Sequence, residues 1–177
     1  MTTLMSNLAF NGMSLFFKVR DLITPRREVL EEAELGPGDW VLDYGCGPGA
    51  YVPDVAEMVE ETGQVYALDI HPLAIKRVQS TIEKRALTNV ETIHSDCHTG
   101  LPNECLDVVL LYDVFHALSD PQAILAELHR VLKPDGTLSF SDHHMGENEI
   151  IAGVTKDQLF QLARKGEHTC SFLRQER

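Results

Sequence analysis

Residues Val41-Leu42-Asp43-Tyr44-Gly45-Cys46-Gly47-Pro48-Gly49 join an apolar run to a carboxylate and three glycines at alternate positions. A turn this rich in glycine takes positive φ and brings its backbone against a ligand without Cβ clashes. Between a strand and a helix N-terminus, it suits a nucleotide-like cofactor. Dinucleotide turns read G-x-G-x-x-G and receive a pyrophosphate, whereas this one reads G-x-G-x-G with Asp43 two residues ahead, where its charge would repel a dianion. Asp43 therefore suits a cationic ligand, or else caps the loop by accepting from its N–H groups. Asp69 follows the next apolar run at a spacing that lets a carboxylate accept two ribose hydroxyls, the alternative being a cap on the helix ahead of Pro72. Asp113 and His116 follow a third apolar run and have the chemistry of a general acid or base, although His116 could equally pack on the next helix. His143 is a further candidate for substrate contact or base.

Two histidine-rich runs, His94-Ser95-Asp96-Cys97-His98 and Asp142-His143-His144, suggest a metal at first sight. Neither has a zinc spacing and adjacent histidines usually point apart, so no metal is expected. The four cysteines are scattered and contain no C-x-x-C pair, which speaks against a thiolate cage and for a reducing, cytoplasmic setting.

After residue 40, extended and helical patterns alternate, the sign of a parallel sheet covered on both faces. Val41-Leu42 opens the first strand; Val52, Val55, Ala56 and Val59 form a helical stripe that is expected to end on Gly63 as C-cap. Val65 to Leu68 is a second strand closed by Asp69, and Pro72 begins a helix with Ile75, Val78 and Ile82 on one face. Val90 to Ile93 is a short third strand. The nearly all-apolar Leu106 to Leu111 reads as a strand buried on both faces, hence central. Ser119 or Asp120 caps a helix carrying Ile124, Leu125, Leu128, Val131 and Leu132; Pro134-Asp135-Gly136 turns it into a strand over 137–141. Residues 147–157 suit a helix, and 159–164 with 169–173 an antiparallel hairpin.

The 177 residues suffice for one ordinary domain, and 44% apolar composition supports a packed core. Fifteen basic against 27 acidic residues give a net charge of −12, which opposes a nucleic-acid partner. No apolar stretch approaches the ~18 residues of a membrane span, and no signal peptide is read.

Motif and element order together resemble the class I S-adenosylmethionine-dependent methyltransferases over residues 40–175. The run Leu128-His129-Arg130-Val131-Leu132-Lys133-Pro134-Asp135-Gly136 is similar to the helix-to-strand signature of the small-molecule branch around quinone-biosynthesis and arsenite methyltransferases, with Asp135 where a second glycine is usual. The resemblance implies an α/β, doubly wound, Rossmann-like seven-stranded sheet, mostly parallel, with a C-terminal antiparallel hairpin strand. It implies S-adenosyl-L-methionine as cofactor: Asp43 on the ammonium end, Gly45, Cys46, Gly47 and Gly49 beneath it, Asp69 on the ribose and Ile70 against the adenine face. Asp96, with a backbone N–H at Cys97, would meet the adenine, and the Tyr112 backbone the sulfonium. The implied activity is methyl transfer to a small-molecule substrate, the alternative being a non-catalytic binding subunit that needs a partner. Arsenite as substrate would require converging thiolates, which the scattered cysteines do not offer. Residues 1–39 are read as an N-terminal helical segment, a lid or a homodimer interface, because Phe10, Met13, Phe16, Phe17 and Leu22 are more apolar than a loose tail needs. Residues 40–177 form the cofactor-binding domain.

Overall fold

The computed structural model describes residues 26–176. Residues 1–25, which carry the apolar positions proposed as lid or interface, lie outside the described residues.

Seven strands form one sheet in the order β3-β2-β1-β4-β5-β7-β6. They are β1 (Trp40–Tyr44), β2 (Gln64–Asp69), β3 (Val90–His94), β4 (Leu106–Tyr112), β5 (Leu132–Ser141), β6 (Phe160–Lys165) and β7 (Cys170–Arg174). The first five pair in parallel; β7 runs antiparallel between β5 and β6. The helices are α1 (Arg26–Glu31), α2 (Val52–Val59), α3 (Pro72–Arg85), α4 (Pro121–Val131) and α5 (Glu147–Thr155), with a 3₁₀ turn at Phe115–Ala117. The α/β class, the seven strands and the antiparallel hairpin are as the sequence predicts, with β4 central.

The period-two alternation of the strands divides the core between the two faces of the sheet. Leu42, Leu68 and Leu111 pack with α4, α5 and the phenylalanines of β5, β6 and β7. Val41, Val65, Val108 and Leu110 pack with α1, α2 and Val78 of α3. Asp43 falls between Val41 and the glycine turn on an otherwise apolar strand, so the chain has buried a carboxyl where a valine would pack.

Two local expectations need correction. Helix α2 ends at Val59, with Glu60 rather than Gly63 in a positive-φ conformation (φ 58°). Gly63 is small for another reason: a Cβ there would sit 2.6 Å from the Asp39 and Val59 carbonyl oxygens. At the other helix-to-strand junction, Pro134-Asp135-Gly136 is absorbed into β5 as an irregularity, with Leu132 opposite Leu106 and Thr137 opposite Val108. The α4 cap is Asp120, which accepts from the Ala123 amide at 3.0 Å.

Helix α1 and the segment after it are tied into the domain. Val29, Leu30 and Ala33 are core residues, and Arg26 donates to the Ala50 carbonyl at the end of the glycine turn. The Glu32 carboxyl accepts from the amides of Glu167, His168 and Thr169 and from the Thr169 hydroxyl, clasping the β6–β7 loop. Burial would raise that carboxyl, but these hydrogen bonds outweigh it and hold Glu32 below its ordinary value.

Candidate functional site

In an open α/β sheet a ligand lies at the carboxyl ends of the strands, where the strand order reverses. Here that switch point lies between β1 and β4, and Asp43, Asp69, Asp113 and His143 fall at or just beyond the carboxyl ends of their strands. The glycine turn leaves β1 and is held over β2: the Gly45 and Cys46 amides both donate to the Leu68 carbonyl, at 2.8 and 2.9 Å. Gly45, Gly47 and Gly49 all have positive φ, but their surroundings differ. A Cβ on Gly45 would meet Val114 at 2.7 Å and one on Gly49 would meet Val78 at 2.7 Å, whereas one on Gly47 meets nothing within 4 Å. Gly45 and Gly49 permit close packing within the protein, and Gly47 alone faces open space. Gly49→Ala should therefore lower the melting temperature markedly, whereas Gly47→Ala should shift it by only the ~1 kcal/mol of a left-handed alanine and cost ligand affinity instead. Thermal melts beside ligand titrations would check this pair, and equal losses of affinity would contradict the assignment.

Two carboxyls flank this opening. Asp43 is 3% exposed, and its Oδ2 is buried without a hydrogen-bond partner. The loop amides that it could have capped go elsewhere, so the capping alternative is not what the structure contains. Burial, reinforced by the neighbouring Asp69 charge, raises the Asp43 carboxyl to about 7. Asp69 takes part of the capping role: Oδ2 accepts from the Gly47 amide at 2.8 Å and Oδ1 from the His71 amide at 2.7 Å. Burial still raises its carboxyl above the ordinary range, against these bonds. Each oxygen keeps a second lone pair for a ligand.

Asp69, Ile70 and Asp96 line one cleft with Tyr44, Val114 and Leu118. Tyr44 was not singled out from the sequence, yet its hydroxyl donates to the Asp96 carbonyl at 2.9 Å and fixes the loop after β3. The apolar wall from Val114 and Leu118 was also missed, because only the register of β1 against β4 brings Val114 against Gly45. Cys97 stands behind this cleft: its amide leans on the Ser95 hydroxyl at 3.4 Å and its side chain packs against the core. Cys46 is sealed beneath the loop, and burial pushes its thiol up. The Tyr112 side chain is also internal, paired with the Ser139 hydroxyl at 2.8 Å and edge-on to Tyr51. The first histidine run is used structurally, the His94 ring bonding to the Ile70 carbonyl. Among the described residues no group of three or more His, Cys, Asp and Glu is placed to hold a metal ion.

The second half of the rim is built by β4 and β5. Tyr112 and Ser141 are paired residues at the ends of these strands, and the Asp113 amide extends the ladder to the Ser141 carbonyl at 2.8 Å. Asp113 adopts a positive φ of 52°, tolerable for aspartate, which carries its carboxyl across to the β5 loop. There it accepts from the His143 amide at 3.0 Å and pairs with His143 Nδ1 at 2.6 Å. The reverse pairing lies beside it: Asp142, at the end of β5, meets His116 Nδ1 at 2.9 Å and accepts from the His116 and His144 amides. The His116 ring packs against His144 at a tilt of 42°, with centroids 4.2 Å apart. His116 is thus held by a carboxyl rather than packed on α4. Asp142 was read only as part of a histidine run; the signal available was its place one residue after a strand in register with the one that ends before Asp113.

A cavity of about 290 Å³ opens beside the second rim, lined by Val29, Phe140, Asp142, His143, Met145 and Ile150, with the loop clasped by Glu32. A larger one of about 830 Å³ lies at the opposite end of the sheet, beside Pro134, Asp135 and Arg174, and none of the candidate site residues lines it.

The sequence model for the methyltransferase domain matches residues 35–174. Demethylmenaquinone methyltransferase of Geobacillus stearothermophilus is 28% identical over 128 residues, 72% of this chain and 55% of that protein. Ubiquinone biosynthesis O-methyltransferase of Aliivibrio fischeri is 29% identical over 157 residues, 86% of this chain and 65% of that protein. The chain therefore spans between 55% and 65% of the length of these two relatives. The crystal structure of a SAM-dependent methyltransferase from Aquifex aeolicus superposes with a TM-score of 0.74 at 29% identity, over 88% of this chain and 95% of that one. With a matching family model and a shared fold, the chain belongs to the methyltransferase domain family, S-adenosylmethionine-dependent and of class I fold.

Proposed function

We propose that this protein transfers a methyl group from S-adenosyl-L-methionine to a small-molecule acceptor, quinone-like in character, in the cytoplasm and without nucleic acid as substrate. The observation that carries the reading is the buried Asp43 carboxyl, whose Oδ2 has no hydrogen-bond partner, beside the open face of Gly47, with Asp69 on the other side. The bound cofactor would supply an activated methyl on a sulfonium. Asp43 would hold its ammonium end, directly or through water. Asp69 would accept ribose hydroxyls through its remaining lone pairs, Ile70 would cover the adenine, and Asp96 would receive the adenine amino group. Orientation and exclusion of water account for much of the acceleration of an in-line displacement, so no protein nucleophile is required. At the rim, Asp113, His116 and His143 would be the proton-handling candidates. The cavity beside the rim is mixed, with Met145 and Ile150 on its wall together with Ser141, Glu147, Glu167 and Thr169, and would take an acceptor that carries polar groups on its body. The quinone-related names of two relatives favour a quinone-like acceptor.

Calorimetry with S-adenosylmethionine and S-adenosylhomocysteine tests the shared core of this reading. Asp69→Ala should weaken binding by about 1–3 kcal/mol, roughly 5- to 150-fold, through lost charge-assisted hydrogen bonds. Labelled methyl transfer into fractionated extract then separates an enzyme from a binding subunit. No binding to folded protein would reject both.

A further inference from the structure

The loop between β6 and β7 folds around a carboxyl that lies 135 positions earlier in the chain. Glu32 Oε1 accepts from the Glu167 amide at 2.9 Å and the His168 amide at 3.1 Å, and Oε2 accepts from the Thr169 amide and hydroxyl, both at 2.8 Å. Successive amides that converge on one anion form a nest, a backbone concavity suited to a carboxylate. Building on the methyl-transfer reading above, we propose that Glu32 is a positioning residue for the acceptor: its carboxylate is the resident ligand of this nest, and by filling it holds the β6–β7 loop in place as a wall of the acceptor cavity.

The loop is shaped for that occupant. Gly166 does not have a positive φ, so no turn conformation selects glycine there; it is small because a Cβ would stand 2.1 Å from the Glu32 carboxyl. The Gly166 amide donates to the Thr169 carbonyl at 2.8 Å, so all four amides from Gly166 to Thr169 are engaged. The carboxyl is also held from its own backbone, where Arg164 of β6 donates to the Glu32 carbonyl and lies 3.4 Å from the Glu34 carboxyl. Burial opposes the charge on Glu32, but the loop donors outweigh it, and the nest holds a carboxylate at neutral pH.

The clasped residues border the acceptor site. Gly166, Glu167, His168, Thr169 and Cys170 line the cavity of about 290 Å³, together with Val29 of the helix that ends just before Glu32. With its amides engaged by Glu32, the loop meets an acceptor through the side chains of Glu167 and His168. Without the carboxyl, three amides lose their acceptor and must turn to water or to the substrate, which changes the shape of that wall. The cofactor rim is held by bonds of its own, from the Gly47 and His71 amides to Asp69 and from the glycine turn to the Leu68 carbonyl. Loss of Glu32 therefore falls on acceptor binding.

The acceptor is supplied as the extract fraction that takes label from methyl-labelled S-adenosylmethionine with the wild-type protein, titrated by dilution. Glu32→Ala should raise the apparent KM for that fraction roughly tenfold, keep kcat within about threefold and leave S-adenosylhomocysteine affinity unchanged. Sodium acetate replaces the part of the side chain that alanine lacks, so it should restore KM, whereas sodium chloride at the same ionic strength should not. Acetate should not rescue Gly166→Ala, whose added methyl stands where the carboxylate belongs. A second readout needs no turnover: the amides of Glu167, His168 and Thr169 should exchange their hydrogens faster in Glu32→Ala and slow again in acetate. Thermal melts verify that each variant is folded; where Glu32→Ala is not, Gly166→Ala should show the same rise in KM. An unchanged KM, a loss confined to kcat, amide exchange indifferent to the carboxyl, or equal rescue by chloride and acetate would overturn the proposal. Wild-type protein that binds no S-adenosylhomocysteine or labels no fraction would instead reject the methyl-transfer reading on which it rests, while the exchange measurement still decides whether Glu32 fills the nest.

Discussion

Asp43→Asn should stabilise the ligand-free protein at neutral pH and weaken cofactor binding at the same time. The wild-type carboxyl is raised to about 7 by burial and by Asp69, against an unfolded value near 3.9. Between those values the folded chain binds more protons at this site than the unfolded chain, so stability falls as pH rises, by up to about 1.4 kcal/mol per pH unit. The contribution is intact below the unfolded value and is lost as pH rises through the folded one. Asparagine has no charge to desolvate, so thermal melts from pH 4 to 8 should lose this component of the slope. A cationic ligand reverses the balance, because an ammonium beside Asp43 favours the ionised form. Below pH 7 cofactor binding should release up to about one proton, measurable as a buffer-dependent calorimetric enthalpy. Affinity should peak between about pH 7, where Asp43 ionises, and about pH 8, where a free α-amino group loses its charge. A binding enthalpy independent of buffer would show that Asp43 does not meet the charged end of the ligand.

This coupling gives a physical sense to a residue that the sequence places but cannot describe. The identity of Asp43 as an acid at the end of a strand is legible from Val41-Leu42-Asp43, as Asp69 is from its own strand, because strand ends map directly to the rim of a parallel sheet. Asp96 and Ile70 follow for the same reason. What sequence cannot convey is the state of the carboxyl, which depends on Leu110 lying opposite Asp43 in β4. Pairings across the sheet are similarly hidden. Asp113 and His143 are 30 positions apart, and their contact exists only because Tyr112 and Ser141 are in register. Local chemistry misled at Gly63, where close backbone approach rather than positive φ selects glycine, and at Pro134-Asp135-Gly136, where turn residues were absorbed into a strand. Cys97 illustrates the converse: it adjoins a rim residue in sequence, but its side chain turns into the core.

Asp142 carries the largest predicted structural effect on the acceptor side. Its carboxyl is wholly buried and receives the His116 amide at 3.1 Å, the His116 ring at 2.9 Å and the His144 amide at 3.0 Å. Alanine would leave these donors without their acceptor in a partly closed site, at about 1–3 kcal/mol. That corresponds to roughly 2–12 °C in melting temperature for a domain of this size. His116→Ala removes only the ring contact and leaves both amides satisfied, so its effect should be smaller. The difference between the two variants measures the backbone staple itself. Because the staple joins the loops that carry Asp113 and His143, Asp142→Ala and Asp113→Ala should be non-additive in methyl-transfer rate, with a coupling of about 0.5–3 kcal/mol. A double-mutant cycle on rate and on melting temperature checks both parts. Additive rates with a non-additive melt would mean that the crossed pairs support the fold alone, and that the two loops need not be joined for methyl transfer.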